Sequence, residues 1–380
     1  MSPLRVGFGS APITPPVPVW LAGFSARTQP ATSVHDELEA RVVYLRDARG
    51  ALCLVVCDLL GMSPDFALEV RAAVGAVLEI DLTRVLTACT HTHSGPNAIR
   101  GADALGWLTP EGYEQTVVAG CVSAARAAQR AAEPAALHFI RAPLPDGLSV
   151  NRRGLPYRPT FAALDVRRAD DSRVGTIANV GIHPVALGPE CLAVSTDWVG
   201  PFRTTLERAG GGAVVLLQGA LGDVNPALPG GHGHDLVGSF ADADRIGTGV
   251  AAAVTEALVE ATPVGDELSV IAARELRVSI AKTALAELTG ATGELPVELV
   301  EWSLGGARLV SVPGEAFHAF GRAVEDSRDG PVLLAGLAPG WQGYLPLPFG
   351  DGYEESVSFG APAVQAILAA LTHPPPAPSS

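Results

Sequence analysis

The sequence predicts an α/β fold in which layered, mixed β-sheets are flanked by helices. Short apolar runs rich in β-branched residues alternate with longer alanine-rich patterns of helical spacing, which is typical of such layering. The chain has 380 residues, 48% of them hydrophobic and only 17% charged, so it can bury a large core. We predict one elaborated domain over residues 1–373, followed by a disordered proline-rich tail at 374–380.

The individual elements follow from apolar runs and from the residues that begin helices. Ser63-Pro64 and Thr109-Pro110 each supply an N-cap residue followed by a first-turn proline. Strands are predicted at residues 42–46, 52–57, 85–89, 137–140, 161–166, 174–180, 214–217, 268–278, 299–304 and 308–312. Helices are predicted at 63–78, 109–132, 198–209, 242–261, 315–324 and 361–371.

Composition excludes several classes of partner. The formal net charge is −14 and Lys282 is the only lysine, so no basic surface is expected to bind nucleic acid. The five cysteines lack metal-binding spacing and fit a reducing compartment. The first residues lack the basic start and apolar run of a secretion signal, and prolines interrupt both long uncharged stretches near the C-terminus. We expect a cytoplasmic protein without a transmembrane segment, while its oligomeric state stays open.

Two histidines form the most conspicuous motif. His91 and His93 follow the predicted strand at 85–89 and precede a Ser-Gly-Pro turn, at a strand end where open α/β sheets bind ligands. On a local extended path, residues two apart face the same side. The pair alone is equally compatible with a metal site and with two hydrogen-bonded structural histidines.

Other candidate ligands also lie at the ends of predicted elements. His183 ends an apolar strand, Glu315 follows a strand through Pro-Gly and would open a helix, and Tyr344 and Tyr353 lie in loops. Each has an ordinary explanation: a hydrogen-bonded histidine, a glutamate favoured by the helix dipole, or packing tyrosines. Together, however, the imidazoles, carboxylate and phenolate suit a zinc ion that keeps an exchangeable water.

Two further segments could contribute to a site. Arg152 could bind a carboxylate or stabilise an oxyanion, although most arginines lie on surfaces. The glycine-bracketed loop at 219–226 would let the backbone approach a substrate, or it is an ordinary turn. A second pair, His232 and His234, is interpreted as part of a mobile glycine-rich loop and not as another metal site.

The order of these segments resembles the N-terminal zinc domain of the neutral/alkaline, non-lysosomal ceramidase family, and nearly the whole chain is covered. The matching pieces are Gly7-Phe8-Gly9, Ile13-Thr14-Pro15-Pro16, residues 90–96, Asn151-Arg152, Ile182-His183, Ser195-Thr196-Asp197, residues 222–226, residues 312–315, Tyr344 and Tyr353-Glu354. The Thr-His-Thr-His-Ser-Gly-Pro segment at 90–96 is the most specific of them.

The resemblance implies a role for each matching residue. It implies zinc held by His91, His183, Glu315 and Tyr344, with His93, Arg152 and Tyr353 around the bound water and the substrate carbonyl. Asp223 and Asn225, in the matching segment 222–226, and Trp341, which precedes Tyr344 by three residues, are assigned to substrate binding. The family hydrolyses the amide bond of N-acyl sphingosine, so the resemblance implies an amidohydrolase.

Three departures bear on the substrate. Asn225 stands where the family has a serine in its Gly-Asp-x-Ser-Pro segment, and neither the C-terminal immunoglobulin-like domain nor the secretion signal is present in this sequence. We therefore expect a zinc hydrolase that cleaves a smaller, soluble amide with a metal-activated water, which requires no serine. The alternatives are a zinc esterase or lactonase using the same site, and a catalytically silent metal-binding relative.

Overall fold

A computed structural model of the chain describes residues 3–102, 106–229 and 238–373. Its strands are β1 (Arg5–Pro12), β2 (Ser33–Val34), β3 (Glu39–Asp47), β4 (Gly50–Cys57), β5 (Val85–Cys89), β6 (Glu133–Pro134), β7 (Ala136–Pro143), β8 (Ser149–Asn151), β9 (Thr160–Arg167), β10 (Arg173–Val180), β11 (Ala193–Val194), β12 (Ala213–Gln218), β13 (Val224–Pro226), β14 (Thr262–Gly265), β15 (Leu268–Ser279), β16 (Glu294–Leu304), β17 (Ala307–Val312), β18 (Glu315–Ala316), β19 (Val332–Gly336) and β20 (Tyr344–Leu345). Its helices are α1 (Pro64–Leu78), α2 (Tyr113–Ala131), α3 (Val199–Leu206), α4 (Phe240–Ala257), α5 (Ala284–Thr289), α6 (His318–Asp326), α7 (Tyr353–Ser356) and α8 (Ala361–Thr372).

Most strands belong to three sheets. The first sheet has the order β5-β4-β3-β1-β6, the second β12-β10-β9-β7-β14 and the third β15-β16-β17-β19. Each sheet is mixed, since parallel pairs such as β4–β5, β10–β12 and β17–β19 stand beside antiparallel ones. The predicted α/β fold with layered mixed sheets is therefore confirmed.

The first and second sheets pack face to face, and helices cover their outer faces. Strand β3 shows how the sequence produces this, because successive side chains point to opposite faces of a sheet. Val43 and Leu45 join the core between the sheets, whereas Val42 and Tyr44 join the core beneath α1 and α2. Residues of the second sheet divide in the same way between the shared core and α3 and α4. The resulting order of layers is helix, sheet, sheet, helix.

The Gly7-Phe8-Gly9 segment lies in β1, a strand that the sequence analysis did not predict. Helix α2 crosses this strand so closely that a Cβ atom at Gly7 would lie 2.1 Å from the carbonyl oxygen of Ala128. A Cβ atom at Gly9 would lie 2.3 Å from the carbonyl oxygen of Ala124. The two glycines therefore bring helix and sheet backbones into direct contact, and their lack of apolar side chains hid the strand.

Most predicted elements exist, but three predictions about helices are wrong. The helix at 109–132 begins only at Tyr113, because Gly112 with φ 72° precedes it. The helix predicted at 242–261 begins at Phe240 and ends at Ala257. Glu315 does not open a helix. It forms β18, whose backbone pairs in parallel with β20, and α6 begins three residues later.

Two predictions concern residues outside the described part of the chain, and a third can be examined only within that part. The proline-rich tail at 374–380 and the second histidine pair, His232 and His234, are not among those residues. Within the described chain, no helix combines the length and the apolar character needed to cross a membrane.

Candidate metal centre

Three histidines from the first and second sheets meet at the centre of the molecule. His91 and His93 follow β5, and His183 follows β10. The ring centroids of His91 lie 5.0 Å from those of both His93 and His183, and the latter two are 5.8 Å apart. All three are buried, and one nitrogen from each lies within 4.8 Å of the others. This cluster could hold a metal ion.

The backbone orients two of these imidazoles. The Nδ1 atom of His91 lies 2.6 Å from the carbonyl oxygen of Leu60, and that of His183 lies 2.7 Å from the carbonyl oxygen of Leu221. A carbonyl oxygen can only accept a hydrogen bond, so both Nδ1 atoms carry the proton. In the neutral imidazoles each Nε2 atom then has a free lone pair.

Both free lone pairs face one carboxylate oxygen. Glu315 Oε2 lies 3.2 Å from His91 Nε2 and 3.0 Å from His183 Nε2. Three acceptor atoms repel one another unless a cation lies among them. Donor atoms bound to one zinc ion at about 2.0–2.2 Å lie a little over 3 Å apart in a tetrahedral site. The observed spacing and donor types therefore fit a divalent metal ion.

Parallel pairing of β18 with β20 places Tyr344 directly beside Glu315. The Tyr344 ring stacks near that of His183, with centroids 6.4 Å apart, and the residue is 7% exposed. Trp341 lies on the other side of the carboxylate, and its indole Nε1 donates a 2.7 Å hydrogen bond to Glu315 Oε1. The carboxylate is thus held by the indole at one oxygen and faces the imidazoles with the other.

The spacing of the histidine pair had suggested an extended backbone, but the backbone there is not extended. His91 has φ 68°, which is the left-handed region that residues other than glycine seldom adopt. Such strain persists where surrounding contacts determine the backbone. Here the side-chain amide of Gln218 donates to the carbonyl oxygens of Thr90 and Ile182, at 2.8 and 3.2 Å. One side chain therefore joins the segments that carry His91 and His183.

His93 differs from the other two histidines in its surroundings. Neither of its ring nitrogens has a hydrogen-bond partner within the described chain. The Phe24 ring meets it edge-on at 4.9 Å between centroids, and Gly23 covers it so closely that an added Cβ atom would lie 2.4 Å from Nδ1. Gly23 has φ 100°, so the turn itself also favours glycine. Gly23 and Phe24 therefore belong to a segment that covers His93, and we call it the covering segment.

Arg152 lies beside Tyr344, with its Cζ atom 5.7 Å from the ring centroid. Its guanidinium donates to Glu354 through Nε and Nη2, at 2.9 and 2.7 Å, and to the carbonyl oxygen of Gly222 at 2.7 Å. Its Nη1 donates to Asn225 Oδ1 at 3.2 Å. The position of the arginine is therefore fixed by contacts with three different segments, one of which carries Asn225.

The remaining predicted residues lie around this arrangement. Asp223 is buried and accepts hydrogen bonds at both oxygens, from Asn151 Nδ2 at 2.6 Å and from the backbone N–H of His318 at 2.7 Å. Its contacts join three loops. Tyr353 opens α7 and is 51% exposed, with its ring 6.2 Å from that of Tyr344. Tyr353 therefore lies at the rim of the site.

Burial sets the charge states of the site. It holds the pKa of His93 well below its usual value, with His91 adding to the effect, and lowers the pKa of His183 to about 4. Both imidazoles are therefore neutral at neutral pH.

Sequence reasoning missed several residues that shape the site. Gln218 and the segment around Gly23 were not identified, nor were the carbonyl groups of Leu60 and Leu221, and Glu354 was matched without being given a role. The carbonyl groups carry no signal, because every residue has one. The one usable signal for Gly23 was the glycine itself, placed before an aromatic residue in an otherwise apolar run.

Buried imidazoles and a carboxylate at the ends of strands define the molecule as a layered α/β protein with a candidate metal centre. Residues 4–245 match the family model of the neutral/alkaline non-lysosomal ceramidases, N-terminal domain. The chain belongs to this family, and family membership indicates a hydrolase.

Solved structures agree with the family. A neutral ceramidase from Pseudomonas aeruginosa is 21% identical, with a TM-score of 0.82 over 98% of this chain and 74% of that one. A ceramidase complexed with C2 is 20% identical, with the same TM-score and coverage. At these identities the likeness establishes the fold alone. No curated protein matches the sequence.

Proposed function

We propose that the protein is a zinc-dependent amidohydrolase that cleaves the N-acyl bond of a small, soluble amide. Membership of the ceramidase family supports hydrolysis as the reaction class. The observation that carries the metal assignment is the approach of two imidazole lone pairs to a single oxygen of Glu315, at 3.0 and 3.2 Å. Only a cation makes this arrangement of acceptors favourable.

The proposed zinc ligands are His91, His183, Glu315 and Tyr344. The first two have Nε2 lone pairs oriented by their backbone hydrogen bonds, and the last two are paired residues of β18 and β20. When bound, the ion would polarise the substrate carbonyl and activate water as the nucleophile. This set leaves His93 free to exchange protons.

His93, Arg152 and Tyr353 are the proposed catalytic residues. A neutral imidazole without a described hydrogen-bond partner can take a proton at one nitrogen and pass it to the leaving amine. The fixed guanidinium of Arg152 would stabilise the oxyanion by its positive charge, and the Tyr353 hydroxyl at the rim would donate to it. We assign Asn225 to substrate binding because it contacts Arg152.

Metal content separates the two histidines of the motif. We expect His91→Ala to lose most of its zinc, as measured by elemental analysis of the purified protein. His93→Ala should keep its zinc while its kcat/KM falls by about 10²-fold. His373→Ala, which removes an exposed histidine at the end of α8, is the matched control and should resemble the unmodified protein. Full zinc and full activity in His91→Ala would refute the assignment.

One outcome would change the ligand set without removing the metal. The described histidine cluster consists of His91, His93 and His183, so His93 itself is close enough to bind an ion. Loss of zinc from His93→Ala to the same degree as from His91→Ala would make His93 a ligand. Proton transfer would then require another residue.

The leaving group is tested with matched substrates. A panel of short and long acyl amides, each paired with its ester, should show hydrolysis of the short amides by the zinc-loaded protein. Hydrolysis of esters alone would make the protein an esterase. Tight zinc binding without hydrolysis of any member would favour a silent metal-binding relative.

A further inference from the structure

Arg27 is a buried arginine in the segment that covers the candidate metal centre. The residue is only 8% exposed, and its Cζ atom lies 5.2 Å from the centroid of the Phe24 ring. That ring in turn meets His93 edge-on. Two successive ring contacts therefore connect the guanidinium with the proposed proton-transfer residue.

The hydrogen bonds of Arg27 leave one edge of its guanidinium unused. Nη1 donates to the carbonyl oxygen of Ala22 at 3.2 Å, whereas Nε and Nη2 are buried and have no hydrogen-bond partner in the described parts of the chain. The N–H groups of Nε and Nη2 lie side by side, and this is the pair with which an arginine binds a carboxylate through two parallel hydrogen bonds. The unused edge therefore offers the paired donors with which an arginine binds an anion.

The charge of Arg27 also lacks a described counterpart. Arg152 and Arg153, on the other side of the site, form ion pairs with Glu354 and Glu355. No such pair involves Arg27 among the described residues. Burial lowers the pKa of Arg27 to about 10, with the neighbouring Cys191 opposing the effect, so the group remains charged at neutral pH. A buried charge without a partner is strongly unfavourable, and an anion at the unused edge would remove that cost.

We propose that Arg27 binds an anionic group of the substrate, so that the enzyme acts on amides whose acyl or amine part carries a carboxylate. The inference rests on the proposed function, because it assumes that the substrate lies between the metal centre and the covering segment. The inference adds a chemical class of substrate to the proposed function. Because the net charge of −14 repels anions, binding of an anionic substrate requires a dedicated cation.

Binding to metal-free protein tests this assignment without requiring catalysis. The probes are N-octanoyl derivatives of glycine, 4-aminobutanoate and 6-aminohexanoate, each compared by calorimetry with its neutral carboxamide. The three spacers vary the distance between the amide and the carboxylate. We expect at least one carboxylate to bind about 10-fold or more tightly than its carboxamide, as a charged hydrogen-bonded pair requires.

Variants of Arg27 locate the preference. Arg27→Met should bind both members of each pair equally, and Arg27→Lys should retain part of the preference because an ammonium keeps the charge but not the paired donors. Arg130→Met, which removes an exposed arginine from α2, is the control and should behave like the unmodified protein. Equal binding of acid and carboxamide by the unmodified protein would overturn the inference, even if Arg27→Met fails to fold. An undiminished preference in folded Arg27→Met would overturn it as well.

Hydrolysis of the same compounds separates this inference from the proposed function. A carboxylate preference that depends on Arg27, without hydrolysis of any amide by the zinc-loaded protein, would leave the anion site standing and refute the amidohydrolase. Hydrolysis with equal kcat/KM for acids and carboxamides would refute the anion site alone.

Discussion

Replacement of Trp341 by phenylalanine would test how Glu315 is held. The change removes the indole Nε1 that donates a 2.7 Å hydrogen bond to Glu315 Oε1, while the remaining ring still fills most of the space. Trp341 is 7% exposed and the carboxylate is buried, so water cannot readily replace the lost donor. The variant therefore removes chiefly one hydrogen bond to a charged group.

The expected loss follows from the strength of such a bond. Hydrogen bonds to charged groups contribute about 1.5–3 kcal/mol, and each 1.4 kcal/mol corresponds to a factor of 10 in an equilibrium constant. A carboxylate that is no longer oriented should therefore bind zinc about 10- to 100-fold more weakly. Residues that support metal ligands typically contribute effects of this size.

Competition with a fluorescent chelator measures the zinc dissociation constant, and Trp302→Phe is the matched control. Trp302 is buried, donates its indole N–H to the carbonyl oxygen of Thr83 and lies in a different core from Trp341. We expect only Trp341→Phe to weaken zinc binding. An unchanged zinc affinity with a raised KM would instead place Trp341 in substrate binding, which is the role that sequence analysis assigned to it.

Two further substitutions test the surroundings of the site. Gly23→Ala should lower kcat/KM at least 10-fold, because the added Cβ atom would lie 2.4 Å from His93 Nδ1. Gly112→Ala is the control: Gly112 also has a positive φ, but an added Cβ atom there would have no atom within 4 Å, so its activity should be unchanged. Glu354→Gln should lower kcat by about 10-fold with zinc content unchanged, because it weakens the ion pair that positions Arg152. Glu355→Gln is the control, since Glu355 pairs with Arg153, and it should have a smaller effect in the same steady-state assay.

Sequence analysis predicts the layers of this fold well because apolar strands and amphipathic helices carry local signals. The buried run of β5 and the Ser-Pro start of α1 are examples, and both elements have the predicted bounds. Strand β1 was missed because its glycines make room for a helix that is more than 100 residues away in sequence. A local pattern cannot report a contact of that kind.

The candidate site shows the same limit. The candidate ligands could be named from strand ends and from a family resemblance, and the structure brings His91, His183, Glu315 and Tyr344 together. Their assignment as ligands stays a prediction, as does the division of the chain into one domain and a tail. Glu315 was predicted to open a helix after Pro-Gly, whereas backbone hydrogen bonds from Glu315 to Gly343 and from Phe317 to Leu345 form a strand. Those partners lie 28 residues further along in each case, beyond any local window.

The pairing of β18 with β20 divides the site between two separate parts of the chain. His91 and His183 lie within residues 4–245, the part that matches the family model, while Glu315 and Tyr344 lie beyond it. During synthesis the histidines emerge long before the carboxylate and the phenol that complete their surroundings. The nascent chain thus presents an incomplete set of donors until β18 and β20 have paired.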